Sequence, residues 1–102
     1  MKFNQLLLLT AIIALTGTIP ANASDINLGR DIYQRHCLSC HGVNGSPIMA
    51  AAPDLKRGQG LMQSDQTLQT RIQNGKNACP AYRGILDEQQ ILDVIAYIRT
   101  FF

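Results

Sequence analysis

Hydrophobic and polar positions along the chain divide into an uncharged apolar run, a helical stretch, an irregular stretch and two further helical stretches. The apolar run comes first. Residues from Leu6 to Leu15 carry no charge, follow Lys2, and give way to Gly17, Pro20 and the small-residue sequence Ala21-Asn22-Ala23. A short positive start, an apolar segment and a small-residue end form the pattern of a secretory signal peptide, with cleavage expected before Ser24. An uncleaved anchor is the alternative, but the run to Ile19 is shorter than the roughly 20 apolar residues that span a bilayer. No cysteine stands at the expected cleavage point to take a lipid. Residues 1–23 are therefore read as a signal peptide and residues 24–102 as one exported domain, with no stable membrane anchor expected after cleavage.

Three helices are predicted within that domain. Ile26, Gly29, Ile32 and Tyr33 recur at helical spacing, which predicts a helix over about Asp25 to Arg35 capped by Ser24 or Asp25. Gly29 inside it costs up to about 1 kcal/mol against alanine, so another element is expected to approach closely there. From Gly42 to Gly60, the glycines, the prolines and Asn44 break any period, and a loop is predicted. A second helix is predicted from Asp65 to Asn74, capped by Ser64, with Leu68 and Ile72 facing inward and Gly75 as its stop. The last helix carries the strongest signals. Asp87 and Gln90 form a capping-box pattern, and Leu86 and Ile91 are placed for a hydrophobic staple across it. Ile91, Val94, Ile95 and Ile98 make one apolar stripe beside Tyr97 and Phe101. No strand signal, internal repeat or second domain is present, so the fold class is all-α.

The charge balance adds little. Nine Lys and Arg stand against seven Asp and Glu, a net charge of +2 that falls by one when Lys2 is removed. That is too small to argue for nucleic acid or an anionic membrane surface as a partner. A domain of this size buries a modest share of its surface and often needs a staple. The three cysteines, Cys37, Cys40 and Cys79, suggest what it is. Cys37-Leu38-Ser39-Cys40-His41 is C-x-x-C-H, the attachment pattern of a c-type haem. Two intervening residues let one turn of chain carry two thiols to the two vinyl groups of the ring, and the adjacent histidine then reaches the iron. Three rivals stand beside this reading. A thioredoxin-like C-x-x-C needs a βαβ context that is missing. A Cys37–Cys40 disulfide leaves His41 without a role. A zinc site from Cys37, Cys40, His41 and Cys79 has suitable ligand types, but adjacent Cys40 and His41 converge poorly on one tetrahedral ion.

Residues 24–102 resemble the small class I cytochrome c family. The resemblance is carried by Tyr33 to Gly42 around the C-x-x-C-H motif, by Ala52-Pro53-Asp54-Leu55, by Ile72 to Tyr82 and by the closing segment from Leu86 through Ile98. It implies an all-α fold of three main helices around one covalently bound haem, with the first and last helices crossing where Gly29 and Tyr97 stand. It implies haem thioethers at Cys37 and Cys40 and an axial iron ligand at His41. It also implies that the Pro53 carbonyl accepts a hydrogen bond from the His41 ring, fixing its orientation. One position departs from the family. In Asn74-Gly75-Lys76-Asn77-Ala78-Cys79-Pro80-Ala81-Tyr82, the family's second axial ligand is a methionine where this chain has Cys79. Cys79 is expected to bind iron as a thiolate, which lowers the potential relative to Met/His ligation. Met49 and Met62 are off the family pattern as substitute ligands, and His36 is expected to point away from the iron.

The expected function is low-potential electron transfer in the periplasm or an equivalent exported space, with a redox partner protein or a second cytochrome subunit. Lys56, Arg57, Lys76 and Arg83 are candidates for a docking patch, with an ordinary solvated face as the alternative. A second reading is a binder or sensor of CO or NO, in which Cys79 is displaced. A third is a haem subunit of a sulfur-oxidising complex. No separate acid/base constellation is present, so an electron carrier or gas binder is expected rather than an enzyme.

Overall fold

A computed structural model describes Gly17 and residues 23–102. The expected signal peptide, apart from Gly17 and Ala23, lies outside the described residues. Among the described residues four α-helices form: α1 (Ile26–His36), α2 (Leu38–His41), α3 (Asp65–Asn74) and α4 (Glu88–Ile98). No helix among the described residues is long and apolar enough to cross a membrane.

Helix α1 starts where the Asp25 carboxylate accepts hydrogen bonds from the backbone N–H of Asn27 at 2.9 Å and of Leu28 at 3.1 Å. These satisfy amides that a helix start otherwise leaves bare. The helix buries Gly29, Ile32 and Tyr33 and runs one residue past the predicted end, to His36. Helix α3 has the predicted bounds and the Ser64 cap. In α4 both halves of the Asp87–Gln90 capping box are made. The segment predicted as loop holds short 3-10 turns at Val43–Gly45 and Leu55–Arg57, which hydrophobic periodicity is too coarse to register.

The core lies where α1 crosses α4. A Cβ at Gly29 would lie 2.0 Å from the Asp93 carbonyl oxygen and 3.1 Å from the Cβ of Tyr97, so only glycine lets the two backbones meet. Beside the crossing, Tyr33, Tyr97 and Phe101 stack edge to face, with ring centroids 5.0–5.4 Å apart. Ile91, Val94, Ile95 and Ile98 of α4 are buried together with Ile32, Leu55, Leu61, Leu68 and Leu86. Asp93 is the buried charge among them, 3% exposed. Its Oδ1 accepts from the Asp25 N–H at 2.8 Å and from Gln89 Nε2 at 2.9 Å, which ties the start of α1 to α4 and offsets the cost of burying a carboxylate. At the far end of α4, Arg99 donates to Asp65 Oδ1 and to the carbonyls of Leu61 and Gln63, joining α4 to the start of α3.

After α3 the chain folds back on itself. Gly75 has φ +69°, and a Cβ there would lie 2.7 Å from Cys79 O, Pro80 C and Ala81 N. Lys76 and Cys79 exchange two backbone hydrogen bonds of 3.0 Å, and the amides of Tyr82 and Arg83 bond the carbonyls of Ile72 and Gln73 at 3.1 Å. The Tyr82 hydroxyl reaches across to donate to the His36 carbonyl at 2.9 Å. The segment that carries Cys79 is thereby clamped to both α3 and α1.

Two stability predictions follow from the crossing. Gly29→Ala forces α1 away from α4, with an expected loss of about 1–3 kcal/mol or more, the usual range for overpacking; urea denaturation measures it. Tyr33→Phe removes the donor of the 2.6 Å hydrogen bond to the Gly42 carbonyl, with an expected loss of about 1–3 kcal/mol for an acceptor left unsatisfied. Burial pushes the Tyr33 hydroxyl up from its ordinary value of 10.0 to about 12. Its contribution is thus complete below pH 10 and lost as the pH rises through 12. The stability gap between parent and Tyr33→Phe should close over that window in denaturant titrations at stepped pH.

Candidate functional site

The last turn of α1 and the single turn of α2 present the C-x-x-C-H residues. Cys37 closes α1 through its N–H to the Tyr33 carbonyl at 2.8 Å, and the Cys37 carbonyl then accepts from Cys40 at 3.3 Å and from His41 at 2.9 Å. Gly42, with φ +74°, ends the turn, and a Cβ there would collide with the Ser46 carbonyl. The three side chains are half-buried on one helical turn.

Two cavities adjoin this turn and share Cys37, His41 and Pro53 in their walls. The smaller, about 120 Å³, is lined by Cys37, Cys40 and His41 together with the clamped segment Ala78-Cys79-Pro80. The larger, about 160 Å³, runs inward between α3 and α4 and is walled by Leu68, Ile72, Tyr82, Val94 and Ile98. The structure thus places Cys79 in the wall of the same cavity as the motif residues.

The electrostatics suit neutral ligands. His41 Nδ1 is buried with no hydrogen-bond partner among the described residues. Burial, and then the charge of Arg71, hold the imidazole below its ordinary value of 6.5, so the ring is neutral with a lone pair to offer. Burial pushes the Cys37 thiol up to about 12, with the sulfurs of Cys79 and Cys40 adding to the effect. A thiol held so high is unsuited to thioredoxin-like exchange, which needs a lowered pKa. The Tyr82 hydroxyl is also raised, first by burial and then by these sulfurs. All three cysteines are free, so the Cys37–Cys40 disulfide is not formed. No three His, Cys, Asp or Glu side chains among the described residues converge as a metal-binding group, which leaves the four-ligand zinc reading without its geometry.

Several expectations change. Pro53 lines both cavities beside His41, but its carbonyl accepts no hydrogen bond from the ring, whose Nδ1 is unpaired. Wall position alone does not orient an imidazole that has no bond to its other nitrogen. His36 lines the smaller cavity, in an edge-to-face pair with the Tyr82 ring at 5.6 Å. Met49 lines that cavity as well, whereas Met62 is 88% exposed and lines neither. The candidate docking cations are partly engaged: Arg57 pairs with Asp54 at 3.5 Å and Arg83 donates to Asn74 at 2.9 Å. Arg71, which sequence reading missed, stands in the wall of the larger cavity. Its position three residues after Leu68 and one before Ile72 gave no signal, because an exposed arginine on a short helix is ordinary.

Two thiols and an imidazole on one helical turn, apolar cavities on its flanks and a third sulfur opposite form a set that could hold a haem. Comparison with known proteins points the same way. A family model described as cytochrome C oxidase, cbb3-type, subunit III matches residues 24–98. The chain is 38% identical over 101 residues to a cytochrome c6-like protein of Nostoc sp., covering 95% of this chain and 90% of that protein. It is 40% identical over 81 residues to a cytochrome c6 of a Synechococcus species, covering 78% and 72%. The structure of cytochrome c6 from the diatom Phaeodactylum tricornutum superposes with a TM-score of 0.61 at 24% identity, over 76% of this chain and 93% of that one, and so shares the fold. With the helix order, the crossing and the motif-bearing turn already in place, these matches show that the chain belongs to the small monohaem class I c-type cytochromes of the c6-like family, electron carriers rather than enzymes, which hold haem c covalently.

Proposed function

We propose that residues 24–102 form an exported electron carrier that attaches one haem c through Cys37 and Cys40 and holds its iron between His41 and Cys79. The observation that supports the ligand pair is that Cys79 shares the wall of the smaller cavity with Cys37, Cys40 and His41. When bound, haem takes up and releases one electron at its iron. The chain's own residues do the rest. The one-turn α2 carries both thiols and the imidazole together. The clamp from Gly75 to Arg83 holds the Cys79 segment in place, so the sulfur is presented by a fixed loop. Cys79 Sγ has only a 3.8 Å contact to the Pro80 carbonyl, which leaves it available to a metal. The apolar wall of α3 and α4 excludes water from one side. A thiolate beside the iron adds negative charge and favours the ferric state, so the carrier works at low potential, in contrast to a Met/His pair. Residues 1–23 direct export and are removed before Ser24. The partner is a redox protein or a second cytochrome subunit in the same exported space.

The attachment is tested by acid–acetone extraction. Haem should stay on the parent polypeptide and be lost from Cys37→Ser/Cys40→Ser; extraction from the parent would sink the thioether assignment. The ligand pair is tested by EPR of the ferric holoprotein beside Cys79→Ser. The expected result is a low-spin signal with the compressed g-spread of thiolate ligation, absent in the variant. A high-spin signal, or one that the substitution leaves alone, would remove Cys79 as ligand. On the same samples, saturating CO should leave the ferrous spectrum unchanged; stoichiometric binding at low gas pressure would replace the carrier reading with one of CO or NO binding.

A further inference from the structure

Arg71 stands in the last turn of α3, exposed, where the larger cavity meets a second hollow. In the cavity wall it is the one charged side chain; the remaining lining is apolar or neutral. On its other side Arg71 borders an open polar groove with Gln63, Thr67, Thr70, Asn74 and Lys76. That groove contains two cations, amides and hydroxyls, and no carboxylate. The ion pairs among the described residues occupy Arg57 and Arg99, and none occupies Arg71.

A haem is an apolar disc with two carboxylates on one edge. The disc matches the apolar character of the wall, but a carboxylate inside an apolar wall is strongly unfavourable unless it is paired. The carboxylate edge therefore belongs where the wall turns polar and cationic. We propose that Arg71 is the positioning residue that pairs with the carboxylate edge of the haem at the mouth of the larger cavity, and that its charge raises the reduction potential of the iron. This rests on the haem reading above. Loss of a cation leaves a nearby negative charge unopposed, which stabilises ferric over ferrous iron. Arg71 thus offsets part of the opposite bias expected from Cys79.

The test compares the parent holoprotein with Arg71→Lys, Arg71→Gln and Arg71→Glu. Covalent haem is quantified first, by the pyridine haemochrome spectrum, and the ferric-to-ferrous ratio is then read by potentiometric titration at low and high ionic strength. Arg71→Gln should shift that ratio about tenfold towards ferric at a fixed ambient potential, equivalent to ~59 mV for one electron. Arg71→Glu should shift it further, Arg71→Lys should stay near the parent, and added salt should shrink the differences. Haem loss from the Gln and Glu variants with retention in Lys would support the same role. Gln and Glu variants that titrate with the parent overturn it, as does a Lys variant that behaves like Gln, because charge would then not be the cause. A parent without covalent haem overturns the haem reading and this inference together; a haem-loaded parent whose variants share its potential overturns this inference alone.

Discussion

The close approach of α1 and α4 at Gly29 is the constraint on which the rest of the structure depends. With the Gly29 Cα against the Asp93 carbonyl, no side chain separates the two helices. Their remaining faces then meet as interleaved rings and branched chains: Tyr33 against Tyr97 and Phe101, Ile32 within the stripe of Ile91, Val94 and Ile95. A methyl group at this point would separate the helices along their whole contact, because interiors packed to crystal density transmit displacement and do not absorb it. Asp93 adds a polar tie at the same place by accepting the Asp25 N–H.

The site inherits its geometry from that crossing. Tyr33, packed against Tyr97 and Phe101, donates to the Gly42 carbonyl and so fixes the chain on the far side of the Cys37–His41 turn. Tyr82 donates to the His36 carbonyl and fixes the opposite wall against the same end of α1. The two halves that face each other across the smaller cavity are thus anchored to one helix terminus. Such preorganisation matters for an electron carrier, since a ligand set that stays put needs little rearrangement between oxidation states.

The helices were legible in the chain because each has a complete local code. Ser64 with Gly75, and Asp87 with Gln90 and the stripe from Ile91 to Ile98, specify start, stop and buried face within a dozen residues. Gly29 was legible as a point of contact because a glycine inside a helix needs a reason. The motif from Cys37 to His41 was legible because its chemistry is local to one turn. Other features left no such trace. Asp93 reads as a polar surface position, yet it is buried, because its partner Asp25 lies 68 residues away. His36 and Met49 look incidental beside the motif, and only the fold of the loop after Gly42 brings Met49 to the cavity.

By itself, then, the sequence determined an all-α chain with an export-like leader, a haem-attachment motif and a cysteine at an unusual position, since each is written in contiguous residues whose preferences are short-ranged. Only the tertiary structure decided that Cys79 shares a cavity wall with that motif, that Pro53 lines the same cavities as His41, and that Arg71, in no ion pair, stands in the wall of the larger one. These are relations between segments far apart in the chain. They follow from how α1, α3 and α4 pack, which no local propensity encodes.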